Sequence, residues 1–324
     1  MSGANASPGG RSHQDMSGAH ERSECEPDRA KPSSNASPAR SVSATARNTR
    51  KGGSPREMHW SLWMRQALTV MKMELKRYVL GKRWVGVYIF AFAPVMLLTL
   101  GLVRRASRPA IGDLTEIYAI FYQTFTLRLS VFFSCAMVFS QLYRGEVLEK
   151  TLHFYLLAPV RREVLTLGKY LAGVVAMSLI FGTSTILTNL LTYMHNFAWA
   201  QFFLEGNGFA YMARYFVVTV MACVAYGGVF VLAGTLFKNP AGAAVLVGAW
   251  EAFYFILPAE VQKFTIMHYL QSMLPVAIDR GPFAVVVDPT PAILGIPLLA
   301  VVAGVFVWLA GQVVRLAQVT YSAD

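Results

Sequence analysis

Long apolar stretches constrain the fold of this chain more than any other feature. A stretch of about 18 or more residues with few charges can cross the hydrocarbon core of a bilayer as one helix. The sequence has 324 residues, 55% of them apolar, and contains six such stretches. They are residues 84–103, 118–141, 170–193, 211–237, 241–257 and 291–312. We therefore expect an all-α membrane protein with six transmembrane helices.

The segments that flank these spans differ in composition. Residues 1–57 are rich in Ser, Ala, Pro, Gly and Arg and have almost no large apolar side chain, so this tail is predicted to be disordered. Residues 58–324 then form one membrane domain. It begins with residues 58–80, where apolar side chains recur at helical spacing beside basic ones. Their position before a span favours an interfacial helix over one packed on another protein domain. Residues 258–289 form a non-spanning outer segment.

The basic residues predict the orientation of the chain. Its formal net charge is +11. Strongly basic proteins often bind nucleic acid, but here Lys and Arg cluster beside the spans, where anionic lipid and membrane topology explain them. If the N-terminus is cytoplasmic, 14 basic residues fall inside and 6 outside. We predict a multi-pass protein of the plasma (inner) membrane with both termini cytoplasmic. Arg104, Arg105 and Arg108 are exceptions, because they would lie outside although basic residues are usually enriched on the cytoplasmic side.

A charged island at residues 142–173 separates the second and third predicted spans. Its apolar side chains share one face of a predicted helix, and they are Leu148, Leu152, Tyr155 and Leu156. Charged and polar side chains surround the other face, and they are Glu146, Glu149, Lys150 and His153. Pro159 ends the helix. Such a helix suits a groove on a soluble partner or the surface of the lipid, and the pattern alone leaves both open.

The island resembles the segment after the second span in permeases of type-2 ABC transporters. The resemblance covers about residues 58–316 and is most specific at Leu-Ala-Pro-Val-Arg-Arg, residues 157–162, and at Gly168-Lys169. The interfacial helix, the six spans and the long outer segment also fit. One departure is Lys150-Thr151-Leu152-His153, which stands where the family commonly has Gly-Thr-Leu-Glu. This difference removes one acidic contact expected with the partner.

The resemblance implies a function that depends on a partner. Residues 143–160 would be a cytoplasmic coupling helix that docks into a separate ABC ATPase subunit, which binds ATP and Mg²⁺. The permease would pair with a second copy or a related permease and act in export. The expected coupling residues are Glu146, Leu148, Glu149, Leu152, His153, Tyr155, Leu156, Arg161 and Arg162. This chain has no G-x-x-x-x-G-K-[ST] loop, so we expect no catalytic residue and no cofactor of its own.

Several polar residues fall inside the predicted spans. Arg128 and Glu251 are the deepest ionisable ones, and charges at that depth usually pair or face a watery cavity. We expect them to pair and to hold span two against span five; the alternative is that one of them lines a substrate path. The polar run in span three is formed by Thr183, Ser184, Thr185, Thr188 and Asn189. It predicts helix packing more strongly than substrate binding.

The glycines of spans four and five predict close helix approach. They are Gly227, Gly228, Gly234, Gly242 and Gly248. The sequence carries no H-E-x-x-H motif, and His153, His195 and His268 lie in no ligand spacing, so no metal is expected. Cys135 and Cys223 are predicted to be small buried apolar residues.

Two other functions compete with the permease. A non-transporting membrane scaffold or assembly factor would recruit a soluble partner through the island. A secondary transporter would usually need more spans or an internal repeat, and the sequence has neither. Dependence on an ATPase partner separates the permease from both.

Overall fold

The computed structural model describes residues 55–81, 84–104, 109–148, 162–194, 196–197, 199–237, 239–253, 258–276 and 289–316. Within these ranges the regular elements are helices and none is a strand. The helices are α1 (Pro55–Leu80), α2 (Val85–Val103), α3 (Ile111–Phe121), a π-helix (Tyr122–Val131), α4 (Phe132–Leu148), α5 (Arg162–Met194), α6 (Trp199–Leu204), α7 (Gly208–Leu236), α8 (Pro240–Ala252), α9 (Ala259–Gln262), α10 (Ile266–Ser272) and α11 (Ala292–Leu316).

Five helical stretches in the described ranges are long and apolar enough to cross a membrane. They are Val85–Val103, Ile111–Leu142, Glu163–Met194, Gly208–Leu236 and Ala292–Arg315. By the length and composition of these helices, the chain is an all-α, multi-pass membrane protein. The second stretch joins α3, the π-helix and α4 into one element that begins seven residues before its predicted start.

The predicted fifth span is shorter than expected within the described ranges. Helix α8 has 13 residues and ends at Ala252. Asn239 caps its start by accepting a hydrogen bond from the Ala241 amide at 3.2 Å, and Pro240 occupies the first position, which suits proline. Residues 254–257 lie outside the described residues, and so do residues 1–54, which hold most of the predicted disordered tail.

The predicted amphipathic helix is present as α1. Ala67 and Tyr78 of its apolar stripe are buried, whereas Met64 and Leu68 are exposed. The stripe is therefore divided between contact with the helix bundle and an exposed surface. Helix α1 packs mainly on α5.

Contacts fix the direction of the second and third spanning elements. The Tyr193 hydroxyl, near the end of α5, bonds the Thr115 hydroxyl near the start of α3 at 3.0 Å. Phe139 of α4 packs against Tyr170, close to the start of α5. The two elements are therefore antiparallel. We call the end of the bundle where α4 ends and α5 begins the island end, and the opposite end the far end.

Helix α7 runs in the same direction as α3 and α4. Near its start, the Tyr215 carbonyl accepts a hydrogen bond from the Tyr122 hydroxyl at 3.0 Å. Near its end, Gly234 lies so close to Ser140 of α4 that a Cβ atom there would be 2.5 Å from the Ser140 carbonyl oxygen. Helix α7 therefore ends at the island end.

Helix α11 also ends at the island end. Its Gln312 and Arg315 side chains reach Glu163, in the first turn of α5. Near its start, Gly295 lies beside Tyr269 and Met273, which belong to α10 and the residue after it. Helix α11 is therefore antiparallel to α5 and parallel to α7.

Small residues allow the closest of these helix contacts. A Cβ atom at Gly228 would lie 2.9 Å from the Ala303 Cα atom of α11, and one at Gly227 would lie 2.8 Å from the Phe139 ring. The predicted close approach is confirmed at these positions and at Gly234. At Gly242 the described residues show no close approach, because none of them comes within 4 Å of a Cβ atom placed there.

The contact at Gly234 predicts a stability effect. Gly234→Ala forces α4 and α7 apart, because the new methyl group would overlap the Ser140 backbone. We expect a loss of roughly 1–3 kcal/mol, the usual cost of overpacking. Gly304→Ala in α11 is the control, since a Cβ atom there meets nothing within 4 Å. Thermal unfolding in detergent compares them, and equal stability of the two variants would contradict the close packing of α4 on α7.

Candidate functional site

The predicted coupling residues lie at the edge of the described structure or outside it. Glu149, Leu152, His153, Tyr155, Leu156 and Arg161 fall in residues 149–161, which lie outside the described ranges. Glu146 and Leu148 belong to α4 and Arg162 begins α5, but only their backbone is described. Helix α4 continues past the end of the spanning stretch at Leu142 as far as Leu148. The roles of all nine residues stay predictions.

A buried ion pair holds the start of α5 against α1. The Lys169 ammonium lies 3.1 Å from a carboxylate oxygen of Glu74, and the two side chains are 1% and 4% exposed. Gly168 makes room for this contact, because a Cβ atom there would be 2.9 Å from Val70 and 3.0 Å from the Ala67 carbonyl oxygen. The pair joins α1 to α5 at the island end of the bundle.

A second, more exposed ionic contact joins the start of α5 to the end of α11. Arg315 and Gln312 each lie 3.3 Å from the same carboxylate oxygen of Glu163. Glu163 lies in the first turn of α5 and Arg315 in the last turn of α11, where each charge also interacts favourably with its own helix dipole. The pair is half exposed, so we expect it to contribute little to stability alone.

The predicted polar run of span three lies on α5 and makes mainly helix contacts. Ser184 donates a hydrogen bond to the Ala91 carbonyl of α2. Thr188 donates to the Ser184 carbonyl at 2.7 Å, and Thr183, which is exposed, donates to the Leu179 carbonyl at 2.8 Å. Asn189 is fully buried beside Tyr118. These hydrogen bonds therefore join α5 to its neighbours or close turns within α5 itself.

A buried hydroxyl cluster next to this run was not predicted from the sequence. The Tyr122 and Thr219 hydroxyl oxygens are 2.7 Å apart, and Thr185 lies 3.1 Å from the same Thr219 oxygen. The Thr219 and Tyr122 hydroxyl oxygens also lie 2.9 and 3.0 Å from the Tyr215 carbonyl oxygen, and because each hydroxyl has one proton, one of the two donates to that carbonyl while the other donates to its neighbouring hydroxyl. The cluster joins the π-helix, α5 and α7. In the sequence, the tyrosines within the apolar stretches were the feature that could have indicated this cluster.

Arg128 and Glu251 line the same cavity. Arg128 belongs to the π-helix, midway along the second spanning element, as predicted. Glu251 was expected about ten residues from an end of its span, but it lies in the last turn of α8. Its two oxygens accept hydrogen bonds from the Ile266 and Met267 amides, at 3.1 and 3.3 Å. Arg128 attracts the carboxylate electrostatically.

The hydrogen bonds of Glu251 explain where it lies. Ile266 and Met267 are the first residues of α10, whose amide N–H groups have no partner within that helix. A carboxylate is a strong acceptor for such groups and is favoured at a helix N-terminus. Glu251 therefore ties the end of α8 to α10. Its direct pairing with Arg128 stays a prediction.

No feature of the described residues indicates a metal site. Among them, no group of three or more His, Cys, Asp or Glu side chains is placed to hold a metal ion. Cys135 and Cys223 are buried free thiols, as predicted. Compared with protein-family models the chain matches none, and a search of curated proteins finds no significant match.

The buried Glu74–Lys169 pair leads to a prediction about the stability of the protein. Lys169→Met leaves the Glu74 carboxylate buried, and removal of one partner of a buried pair typically costs about 3–5 kcal/mol. Lys169→Met combined with Glu74→Leu should recover most of that loss, because no buried charge remains. Arg315→Met, in the exposed pair at the same end, should cost less than about 1 kcal/mol.

Thermal unfolding of the purified chain measures these three variants. Equal losses for Lys169→Met and Arg315→Met would contradict the burial of the Glu74–Lys169 pair. A double variant no more stable than Lys169→Met would show that the lost stability does not come from the isolated carboxylate.

Proposed function

We propose that this chain is the membrane permease subunit of an ATP-driven exporter of the type-2 ABC class, coupled to a separate ATPase through the island. The observation that carries the proposal is the sequence Leu-Ala-Pro-Val-Arg-Arg at residues 157–162, together with its position in the chain between two spanning helices. Helix α4 enters the island from one span, and α5 leaves it toward the next. A partner bound to the island would therefore act on two spans at once.

The contacts around the start of α5 support this coupling role. Lys169 joins α5 to α1, and Glu163 joins it to α11. A displacement of the island that moved α5 would therefore pull on α1 and α11 as well. Force from an external ATPase needs such a connection, because a flexible attachment would absorb the movement.

Six crossings of the membrane are part of the proposal. Helix α7 ends at the island end, whereas α11 starts at the far end and runs back to the island end. The chain between Leu236 and Ala292 therefore changes ends. Helix α8 covers about 20 Å of this path at about 1.5 Å per residue. With residues 254–257, it would complete the fifth of six crossings and bring both termini to one side, which we infer is cytoplasmic.

We also propose that α1 lies at the membrane surface. Met64, Leu68 and Met73 are exposed apolar side chains, and Arg65 and Lys72 are exposed basic ones on the same helix. Apolar side chains entering the lipid boundary beside cations near anionic headgroups are typical of interfacial helices. A second permease, as a copy or a relative, would complete the transporter.

Affinity capture from native membranes tests the proposed function. The wild-type chain should retain a nucleotide-hydrolysing subunit, and the variant Leu152→Asp with Tyr155→Asp should lose it, because charges on the docking face would have to be buried. The matched control is Leu204→Asp with Phe197→Asp, which alters exposed apolar residues at the far end. It should retain the subunit.

Mass spectrometry and an ATPase assay of the eluate give the readout. Strong membrane expression without any nucleotide-binding partner would contradict the permease and favour the scaffold. Loss of the ATPase in both double variants would mean that the island is not the specific docking element.

A further inference from the structure

A cavity of about 450 Å³ opens between the π-helix, α4, α7, α8 and α10. Volumes of about 300–1,000 Å³ are typical of small-molecule sites. The described residues that line the cavity are mainly apolar, and three of them have polar side chains, Arg128, Tyr226 and Glu251. A few polar groups in an apolar cavity are the usual composition of a ligand site.

The small residues of α8 create the space. Ala244, Gly248, Ala249 and Ala252 face the cavity. Aromatic rings form the opposite wall, among them Phe132, whose ring a Cβ atom at Gly248 would approach to 3.3 Å. A wall of small side chains against a wall of rings leaves a narrow apolar space. Its shape suits a hydrocarbon chain better than a bulky polar solute.

The two charged groups of the cavity have different tasks. Both Glu251 oxygens accept backbone hydrogen bonds from α10, at 3.1 and 3.3 Å, so its carboxylate has a structural role. Arg128 supplies the cation among the lining residues, and it also attracts the Glu251 carboxylate electrostatically. Its Nε and Nη2 atoms are buried within the protein.

The backbone around Arg128 is also unusual. Arg128 lies within the π-helix Tyr122–Val131. π-helical segments are rare and occur frequently at functional sites. An intramembrane arginine that faces a cavity is itself a common mark of a binding site or pathway. The cation that lines the cavity therefore belongs to a π-helix, so that three features associated with functional sites occur at one place.

We propose that this cavity binds an amphiphile with one anionic head group and a hydrocarbon chain. The head group meets the Arg128 guanidinium, and the chain lies along the small-residue face of α8. The site goes beyond the proposed function, because binding requires neither the island nor an ATPase partner. The proposed binding site can therefore be tested separately from the proposed transport function.

Photolabelling of the purified full-length chain in nanodiscs tests the proposal. The probe is stearic acid with a diazirine in the middle of its chain, and mass spectrometry maps the labelled residues. We expect labels on the cavity face of α8, around Ala244 and Gly248, and on the facing Phe133. Unlabelled stearate should compete, whereas stearylamine and stearyl alcohol should not, because neither carries the anion that Arg128 attracts.

Three variants and one control sharpen the test. Arg128→Gln should reduce labelling of α8 by about tenfold or more, since it removes a charge-assisted hydrogen bond. Arg128→Lys should retain part of the labelling because the cation remains. Ala249→Leu, at an exposed position of the lining, should reduce labelling by filling the cavity. Lys263→Gln is the control, because this cation lines a neighbouring cavity instead.

Two results would overturn the proposal. One is equal competition by stearylamine or stearyl alcohol, which would mean that the cavity takes up any membrane chain. The other is undiminished α8 labelling in folded Arg128→Gln protein. If that variant does not fold, the competition series on the wild type and the Ala249→Leu variant decide the matter.

Discussion

Polar groups inside a hydrocarbon bilayer have few partners except one another, and this constraint organises the whole bundle. Backbone groups satisfy one another within helices, which explains the all-helical architecture of the described chain. Side-chain hydroxyls then bond across helices, as Ser184 does to α2 and Tyr122 does to α7. Buried charges follow the same rule: Lys169 meets Glu74, and Glu251 meets the free amides of α10.

These contacts also determine how the ends of the helices are arranged. The start of α5 is tied to α1 on one side and to the end of α11 on the other, close to the charged island. The far half of the bundle is joined by the tyrosine and threonine hydroxyls instead. Among the described residues, two ion pairs thus join helices at the island end, and neutral hydrogen bonds join helices toward the far end.

Much of the fold could be predicted from hydropathy alone. Residues 84–103 and 211–237 were predicted within a few residues of the helices Val85–Val103 and Gly208–Leu236, because a run of apolar residues needs no partner to be recognised. Helix α8 was harder, because the described helix ends at Ala252, five residues before the predicted end of the fifth span at residue 257. The central position of Arg128 was also predictable from its distance to both ends of an apolar run.

Partners across the bundle could not be predicted in the same way. Glu74 was one acid in a basic helix, and nothing local linked it to Lys169, 95 residues away. The pairing of Glu251 with Arg128 stays a prediction, whereas the backbone amides that Glu251 binds carry no signal in the sequence. The hydroxyl cluster was missed because only Thr185 belonged to the predicted polar run, whereas Tyr122 and Thr219 lie in other apolar stretches until three helices bring them together. One sequence records the demand of each polar group for a partner but does not identify that partner.

Helices α7 and α11 run in the same direction, and we propose that the chain crosses the membrane six times. Single-cysteine reporters at Phe197, Phe237 and Ile293, all exposed, test it in a background without native cysteines. A membrane-impermeant thiol reagent added to intact cells should label the reporters at Phe197 and Ile293. It should reach Phe237 only after the membrane is opened. Labelling of Phe237 and Ile293 from the same side would contradict a crossing between α7 and α11, and with it the six-span architecture.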